Sequence, residues 1–256
     1  MFEFQSSLIF PVHAVAPAGP LPAGAERLSL KTADGHALVG IHIPAEEVSK
    51  GRPLLLGFGG NAWNGQHVAE YLHQIFPDHE VIAFYYRGYS PSTGSPSAEA
   101  LIADAPLTYD LALQRVKPRG VIAVGFSIGS GVAAQLAAKR RLDGLVLVTP
   151  FDSLKAVAQS MFPWLPIGPL FTNEIDAADS LRNSRMPVAI IAAEHDEIVP
   201  AARTAALRRD IPNLVFDRTI EHAGHNDIYA RSDFQEAMRG ALTEIEGRSE
   251  ANPGTR

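Results

Sequence analysis

One short stretch of the chain decides the fold: Gly125-Phe126-Ser127-Ile128-Gly129. The segment before it, Gly120–Val124, is apolar and rich in β-branched residues, which predicts a buried strand. The segment after it, Ser130–Arg140, consists mostly of small, helix-favouring residues and ends on cations, which predicts a helix. A Gly-x-Ser-x-Gly sequence at a strand-to-helix turn is typical of a nucleophile elbow, which exposes the serine hydroxyl above a sheet. We therefore expect an α/β fold with Ser127 as a nucleophile.

The two glycines of this motif have a steric role. The turn is so sharp that side chains two residues before and two residues after Ser127 would collide, and Ser127 itself is expected to be strained. The alternative interpretation is a plain glycine-rich turn between a strand and a helix. A phosphate-binding loop is disfavoured, because the chain lacks Gly-x-x-x-x-Gly-Lys-Ser/Thr and a dinucleotide-type Gly-x-Gly-x-x-Gly. We therefore expect no cofactor.

Composition restricts the class of protein further. The 256 residues are 46% hydrophobic and 20% charged, which is ordinary for a globular chain. A net charge of −6 argues against a nucleic-acid partner. The absence of cysteine excludes disulfides, thiolate catalysis and cysteine-based zinc sites. The sequence has no run of about 18 apolar residues and no signal-peptide pattern, so we expect no integral membrane segment and a cytoplasmic location.

The order of strand and helix patterns predicts a single α/β domain over residues 1–246. A β-hairpin is expected over Glu26–Thr32 and His36–Ile43, followed by alternating strands and helices that predict about eight strands, mostly parallel, with helices on both faces. Pro106 is expected to kink or restart the helix over about 97–116. A closing helix is predicted over Phe234–Ile245. The polar residues 247–256 are expected to form a disordered tail.

A serine nucleophile needs a histidine base that is oriented by a carboxylate, here expected in the chain order Ser, Asp/Glu, His. For the acid we choose Asp196, in the loop after a predicted strand, because the following Ile198-Val199-Pro200 re-enters the core and starts a helix. Glu194 is expected over the strand end, and Glu197 in solvent at the helix start. Asp152 is a rival, although it could equally cap a helix.

For the base we choose His225, because the preceding Gly224 can let the loop turn back toward the serine. His222 is the competitor. A metal site built from this region is a second interpretation; its members would be Glu194, His195, Asp196, His222 and His225. It is disfavoured because no metal-ligand spacing such as His-Glu-x-x-His is present, and we expect no metal.

Stabilisation of an oxyanion needs two donors near Ser127. One is expected to be the backbone N–H of Ile128, the residue after the nucleophile. The other is expected from the loop after the strand Pro53–Phe58, most simply the N–H of Asn61, because the adjacent glycines let the backbone approach a substrate. A flexible loop of the same composition is the alternative.

The chain resembles the α/β-hydrolase superfamily, and within it the serine hydrolases whose oxyanion loop reads His-Gly-Asn-Ala-Gly. Its Tyr86–Ser97 segment is similar to that branch's Tyr-Arg-Gly-Tyr-Gly-x-Ser-x-Gly-x-Pro-Ser/Thr, and Thr149–Leu154 and Ala223–Asp227 match two further segments. The resemblance implies that Ser127, Asp196 and His225 act as nucleophile, acid and base. The chain departs from the pattern at Gly59, where the family usually has a histidine that supports the oxyanion loop.

Together these observations predict a serine hydrolase that cleaves carboxylic esters or thioesters through an acyl-enzyme intermediate. The expected partner is a small-molecule acyl substrate with a small to medium acyl group. A peptidase or amidase with the same triad, and a non-catalytic scaffold used for binding, are the alternatives. A short cap is predicted over about 155–185. Its apolar middle and the oxyanion loop supply the predicted acyl-site residues, Trp63, Met161, Phe162, Trp164 and Phe171.

Overall fold

The computed structural model describes residues 9–46, 51–161 and 171–251. Eight strands form one sheet: β1 Glu26–Lys31, β2 Ala37–Ile43, β3 Leu54–Phe58, β4 Val81–Phe84, β5 Val121–Phe126, β6 Gly144–Val148, β7 Val188–Ala193 and β8 Leu214–Ile220. Their spatial order is β1-β2-β4-β3-β5-β6-β7-β8. β2 is antiparallel to both β1 and β4, whereas the other neighbouring strands pair in parallel. The predicted hairpin and the mostly parallel sheet are confirmed.

The central strands have no exposed face. Every residue of β3, β4, β5, β6 and β7 is buried, which explains why these segments are continuous apolar runs without alternation. A parallel sheet of this kind must be covered on both sides, and the crossover helices supply that cover.

Within the described residues from Phe10 onward, seven α-helices surround the sheet: α1 Gly65–Ile75, α2 Ala98–Val116, α3 Ile128–Ala137, α4 Leu154–Met161, α5 Ala177–Leu181, α6 Ala201–Asp210 and α7 Ser232–Ala251. Helices α1 and α7 pack together over one face. Helix α3 packs between α2 and α5 over the other, and α6 packs on α5. Among the described residues, none of the helices combines the length and the apolar character needed to cross a membrane.

Helix α2 passes through Pro106 without interruption, so the predicted restart does not occur. Proline has no N–H, and the carbonyl of Ile102 one turn earlier therefore loses its helical donor. The Lys139 ammonium donates to that carbonyl at 3.3 Å. A side chain from the neighbouring helix end thus compensates for the lost backbone bond.

The end of the chain also differs from the prediction. Helix α7 continues past Ile245 to Ala251, so a disordered tail over 247–256 is wrong for residues 247–251, which are helical. Glutamate, arginine and alanine are good helix formers, and the segment has no apolar periodicity that would reveal the helix in the sequence. Residues 252–256 lie outside the described residues.

The two ends of the predicted cap are hydrogen-bonded to each other. The N–H of Leu154 donates to Ile175 at 3.1 Å, and the N–H groups of Ala177 and Ala178 donate to the Asp152 carbonyl at 2.9 and 3.0 Å. These bonds close the base of an insertion that begins directly after β6. Its middle, residues 162–170, lies outside the described residues.

Candidate active site

Ser127 lies at the junction between β5 and α3, in a backbone conformation that residues with side chains rarely adopt. Its φ is 51° and its ψ is −119°. Such a conformation costs on the order of 1–3 kcal/mol and persists only when the surroundings enforce it. Here the Ser127 N–H donates to the carbonyl of Val148, at the end of the neighbouring strand β6, at 2.9 Å.

The glycines on either side of Ser127 are needed because backbone lies against both. A Cβ atom on Gly125 would lie 2.4 Å from the carbonyl oxygen of Gly129. A Cβ atom on Gly129 would lie 2.2 Å from the carbonyl oxygen of Phe58, at the end of β3. The steric conflict expected from the sequence is therefore one of side chain against main chain, and it also involves a third segment.

Loops after three different strands bring Ser127, His225 and Asp196 into one hydrogen-bonded row. The Nε2 atom of His225 lies 2.9 Å from the Ser127 hydroxyl. Its Nδ1 atom lies 2.9 and 2.8 Å from the two carboxylate oxygens of Asp196. The side chains of His225 and Asp196 are only 7% and 6% exposed, which strengthens their mutual electrostatic interaction.

Backbone donors and a second carboxylate hold this row in place. Asp196 Oδ1 accepts the N–H groups of Ile198 and Val199 at 2.9 and 2.6 Å. The N–H of His225 donates to Glu197 at 3.0 Å. The sequence predicted a solvated Glu197; the residue is exposed, but its carboxylate also braces the loop that carries the histidine.

The rival residues lie elsewhere. Asp152 pairs with Arg203 at 3.3 Å, and burial raises the pKa of its carboxyl group. The side chain of His222 is 79% exposed and lies beside Glu194. Neither rival therefore occupies the place that Asp196 or His225 takes next to the serine.

The two segments that carry the predicted oxyanion donors lie next to Ser127. Ile128 is the first residue of α3, so its N–H has no acceptor within the helix and lies at the positive end of the helix dipole. Gly60 is also adjacent, since a Cβ atom there would lie 3.7 Å from the Ser127 Cβ. The Gly60 carbonyl accepts the Trp63 N–H at 3.2 Å, which turns the Asn61 N–H of the same planar peptide in the opposite direction.

Two buried tyrosines hold the peptides on either side of the Gly60–Asn61 peptide. Sequence reasoning missed this feature. The Tyr86 hydroxyl donates to the Gly59 carbonyl at 2.8 Å, and the Tyr89 hydroxyl donates to the Asn61 carbonyl. Burial raises the pKa of both hydroxyl groups, which keeps them protonated as donors. A Cβ atom on Gly59 would lie 2.8 Å from the Val68 side chain. The sequence did contain both tyrosines, in the Tyr86–Ser97 segment that resembles the family, but not the carbonyl groups to which they donate.

Trp63, a predicted acyl-site residue, belongs to an aromatic cluster beneath the elbow. Its ring centroid lies 5.1 Å from that of Phe126 and 5.3 Å from those of Tyr71 and Tyr229. The indole is half-buried, so one part of it packs and another part remains accessible.

The other predicted acyl-site residues belong to the insertion after β6. Met161 ends α4 and is 42% exposed, and Phe171 is half-buried on the returning segment. Phe162 and Trp164 lie outside the described residues.

The sequence of this chain is similar to a known family model and to several known proteins. Residues 54–177 match the family model described as the alpha/beta hydrolase fold. The protein Bem46 of Schizosaccharomyces pombe is 30% identical over 226 residues, which cover 81% of this chain and 75% of Bem46. A Mycobacterium tuberculosis protein described as uncharacterised is 33% identical over 240 residues, which cover 89% of this chain and 84% of that protein. The chain belongs to the α/β-hydrolase family.

This hydrolase has further relatives. Lysophosphatidylserine lipase ABHD12 of Xenopus tropicalis is 31% identical over 236 residues, which cover 78% of this chain and 60% of ABHD12. A solved α/β hydrolase of Vibrio vulnificus has a TM-score of 0.76 at 17% identity, with 95% of this chain and 93% of that chain covered. An esterase of Pyrococcus furiosus has a TM-score of 0.71 at 16% identity, with 90% and 96% covered. At these low identities, the solved structures bear on the fold alone.

Proposed function

We propose that this α/β hydrolase is a serine hydrolase that cleaves carboxylic esters or thioesters of small to medium acyl groups through an acyl-enzyme intermediate. The observation that carries the proposal is the unbroken row of hydrogen-bonding distances, 2.8–2.9 Å, from Asp196 through His225 to Ser127. A serine hydroxyl is a weak nucleophile at neutral pH, and this row is what activates it.

In the first half of the reaction, the Ser127 Oγ attacks the carbonyl carbon of the substrate. His225 Nε2 takes the hydroxyl proton, and its Nδ1–H donates to Asp196, whose negative charge stabilises the imidazolium. The carbonyl oxygen becomes an oxyanion that accepts hydrogen bonds from the N–H groups of Ile128 and Asn61. When the tetrahedral species collapses, the carbon–oxygen or carbon–sulfur bond breaks, and His225 returns the proton to the leaving group.

The second half repeats these steps with water. His225 accepts a proton from the water molecule, whose oxygen attacks the acyl carbon bound to Ser127. Collapse of the second tetrahedral species breaks the bond to Ser127 Oγ, which recovers its proton from His225. The acid product then leaves, and the enzyme is restored.

The relatives support an ester as the substrate class. ABHD12 of Xenopus tropicalis, which is 31% identical, is named a lysophosphatidylserine lipase. A lysophospholipid carries a carboxylic ester, and the triad chemistry is indifferent to the alcohol that leaves. Lysophosphatidylserine is therefore the second substrate to test beside simple esters.

The deciding experiment is covalent labelling with a fluorophosphonate probe, followed by peptide mass spectrometry. The adduct is expected on Ser127, and Ser127→Ala is expected to abolish both labelling and hydrolysis of p-nitrophenyl esters and lysophosphatidylserine. Ser180→Ala is the control, because the Ser180 hydroxyl only donates to the Asp176 carbonyl beside helix α5. Labelling of Ser127→Ala at the wild-type rate would exclude the proposed nucleophile.

A further inference from the structure

Three of the five residues in the alternative metal-site interpretation form a cluster separate from the triad. Glu194 and His195 follow β7, and His222 follows β8. Glu194 Oε2 lies 3.5 Å from His222 Nδ1 and 3.8 Å from His195 Nε2. The three ligand atoms all lie within 4.8 Å of one another.

These distances correspond to those around a small tetrahedral cation. Zinc binds imidazole nitrogen and carboxylate oxygen at about 2.0–2.2 Å, so neighbouring ligand atoms lie about 3.3–3.6 Å apart. One pair already falls in this range, and the second is a few tenths of an ångström outside it. The side chains concerned are 42–79% exposed, so they can rotate to close the remaining gap. We propose that Glu194, His195 and His222 bind a zinc-like divalent cation, with water at the fourth position.

Hydrogen bonds fix the backbone of the proposed site without a bound ion. His222 has a φ of 57°, a left-handed conformation that non-glycine residues seldom adopt, and its N–H donates to Glu194 Oε2 at 2.7 Å. The His195 N–H donates to the Ala223 carbonyl at 2.8 Å. Only side-chain rotations separate this arrangement from a ligand set, which lowers the entropic cost of binding.

Because of the position of the cluster, a bound ion would connect two loops of the candidate active site. His195 directly precedes Asp196, and His222 precedes His225 by three residues. An ion bound by both histidines connects the loop that carries the acid to the loop that carries the base. Since it binds the folded chain and not the unfolded one, it stabilises this part of the fold without contacting the reacting atoms.

The test is isothermal titration of the tag-free protein with Zn²⁺ at neutral pH in a buffer without chelators. We expect one ion per chain, a rise in the unfolding temperature, and visible d–d absorption of tetrahedral type when Co²⁺ replaces Zn²⁺. Loss of a ligand should cost at least as much affinity as loss of an outer partner, which typically costs about 10–100-fold. His195→Ala and His222→Ala should therefore each weaken binding about 100-fold or more, and Glu194→Gln should also weaken it.

Three controls separate this site from other histidines and from the catalytic proposal. His36→Ala removes a partly exposed histidine that likewise lies beside a carboxylate, Asp34, at 3.9 Å, and should leave binding unchanged. His225→Ala and Ser127→Ala should also bind Zn²⁺ like the wild type, whether or not Ser127 is the nucleophile. Binding that survives both His195→Ala and His222→Ala, that vanishes in His225→Ala, or that is weaker than about 1 mM in the wild type overturns the proposal.

Discussion

His225 and His222 belong to the same short loop after β8, yet only His225 reaches the Ser127 hydroxyl, at 2.9 Å. His225→Ala removes the base and should lower kcat by about 10⁶-fold, the scale found when a member of a serine triad is lost. His222→Ala should retain most turnover, because that side chain points into solvent. Steady-state rates with a p-nitrophenyl ester distinguish them, and similar losses in both variants would contradict the choice of base.

The two aspartates can be compared in the same way. Asp196→Asn keeps the shape of the side chain but removes the charge next to His225, and it should lower kcat by about 10⁴-fold. Asp152→Asn weakens the pair with Arg203 and should change kcat by less than about tenfold. Should Asp152→Asn prove the more damaging of the two, the acid has been assigned to the wrong strand.

Tyr89 and Tyr86 act on the oxyanion through the loop whose carbonyls they hold, so they are positioning residues. Tyr89→Phe leaves the Asn61 carbonyl without its donor and frees the peptide next to the one that carries the predicted oxyanion N–H, so that N–H is held less firmly. A lost oxyanion donor costs about 10²–10³ in kcat, and a misdirected one should cost about 10–100-fold with little change in KM.

Tyr109→Phe is the matched control for Tyr89→Phe. The Tyr109 hydroxyl also donates to a backbone carbonyl, that of Arg141, at 2.6 Å, but it lies on helix α2 and its acceptor is not in the oxyanion loop. It should lose a comparable amount of stability while kcat stays within about twofold. Equal kcat values for the two variants, measured at the same folded fraction, would mean that Tyr89 is only structural.

At the scale of elements, the loop from β3 to α1 and the start of α3 approach each other so closely that two glycines respond differently to alanine. Gly129→Ala forces a methyl group against the Phe58 carbonyl, and overpacking of this kind costs about 1–3 kcal/mol or more. Gly60→Ala has room, because the nearest heavy atom is 3.7 Å away. The first variant should lower the unfolding temperature, whereas the second should fold normally and lose kcat/KM, since its methyl group lies beside Ser127.

Thermal unfolding and kinetics of the two variants together test this difference. If Gly60→Ala kept full kcat/KM, the space beside the Ser127 Cβ would not be where the substrate lies. If Gly129→Ala kept its stability, the close approach of β3 to the elbow would be wrong.

The elements that the sequence predicted best are those whose local pattern and tertiary role agree. The strand, turn and helix around Ser127 could be read from composition because burial on both faces requires an apolar run and the turn requires glycine. The restart considered at Pro106 and the disordered tail expected over residues 247–251 are wrong for the opposite reason. The bond that replaces the proline donor comes from Lys139, a residue distant in sequence, and the extra turns of α7 have no apolar periodicity to reveal them.

The candidate site shows the same division. Ser127, Asp196 and His225 could be chosen because each follows a predicted strand and the carboxyl ends of parallel strands meet at one edge. The supports supplied by Tyr86, Tyr89 and Glu197 could not. Their roles depend on which carbonyl or N–H group a side chain reaches in three dimensions.

At the scale of the whole molecule, the sheet brings together residues that are far apart in the chain. The Ser127–His225 contact spans 98 residues, and the two loops meet because β5, β6, β7 and β8 are successive neighbours. An aromatic cluster joins the β3–α1 loop, α1, β5, the segment before α7 and the first turn of α7; its members are Trp63, Tyr71, Phe126, Tyr229 and Phe234. Burial raises the pKa of the Tyr229 hydroxyl to about 12, as expected for a group packed among rings. The site therefore lies next to a cluster of packed aromatic rings.

A cap over the candidate site is predicted from the sequence of the insertion after β6. The insertion after β6 is the segment that the sequence predicts as a cap, because its stretch 161–171 is apolar and the insertion begins at the carboxyl end of β6, the edge of the sheet at which Ser127 lies. If Trp164 lines the acyl site, each methylene added to the substrate should contribute up to about 0.8 kcal/mol, about fourfold in kcat/KM, until the site is full. A short cap encloses only a small acyl site, so the gain in kcat/KM should stop at a medium chain length.

The measurement is kcat/KM for p-nitrophenyl esters of increasing chain length, and for lysophosphatidylserine, with wild type and Trp164→Ala. Removal of the indole enlarges the site, so the optimum should move to longer chains and the rate on short ones should fall. Met161→Ala, at the exposed end of α4, is the comparison for a residue at the mouth of the insertion, and it should shift the optimum less. An unchanged chain-length profile in Trp164→Ala would mean that the indole only packs against the core, because a side chain that lines the acyl site cannot be removed without changing the chain length that fills it.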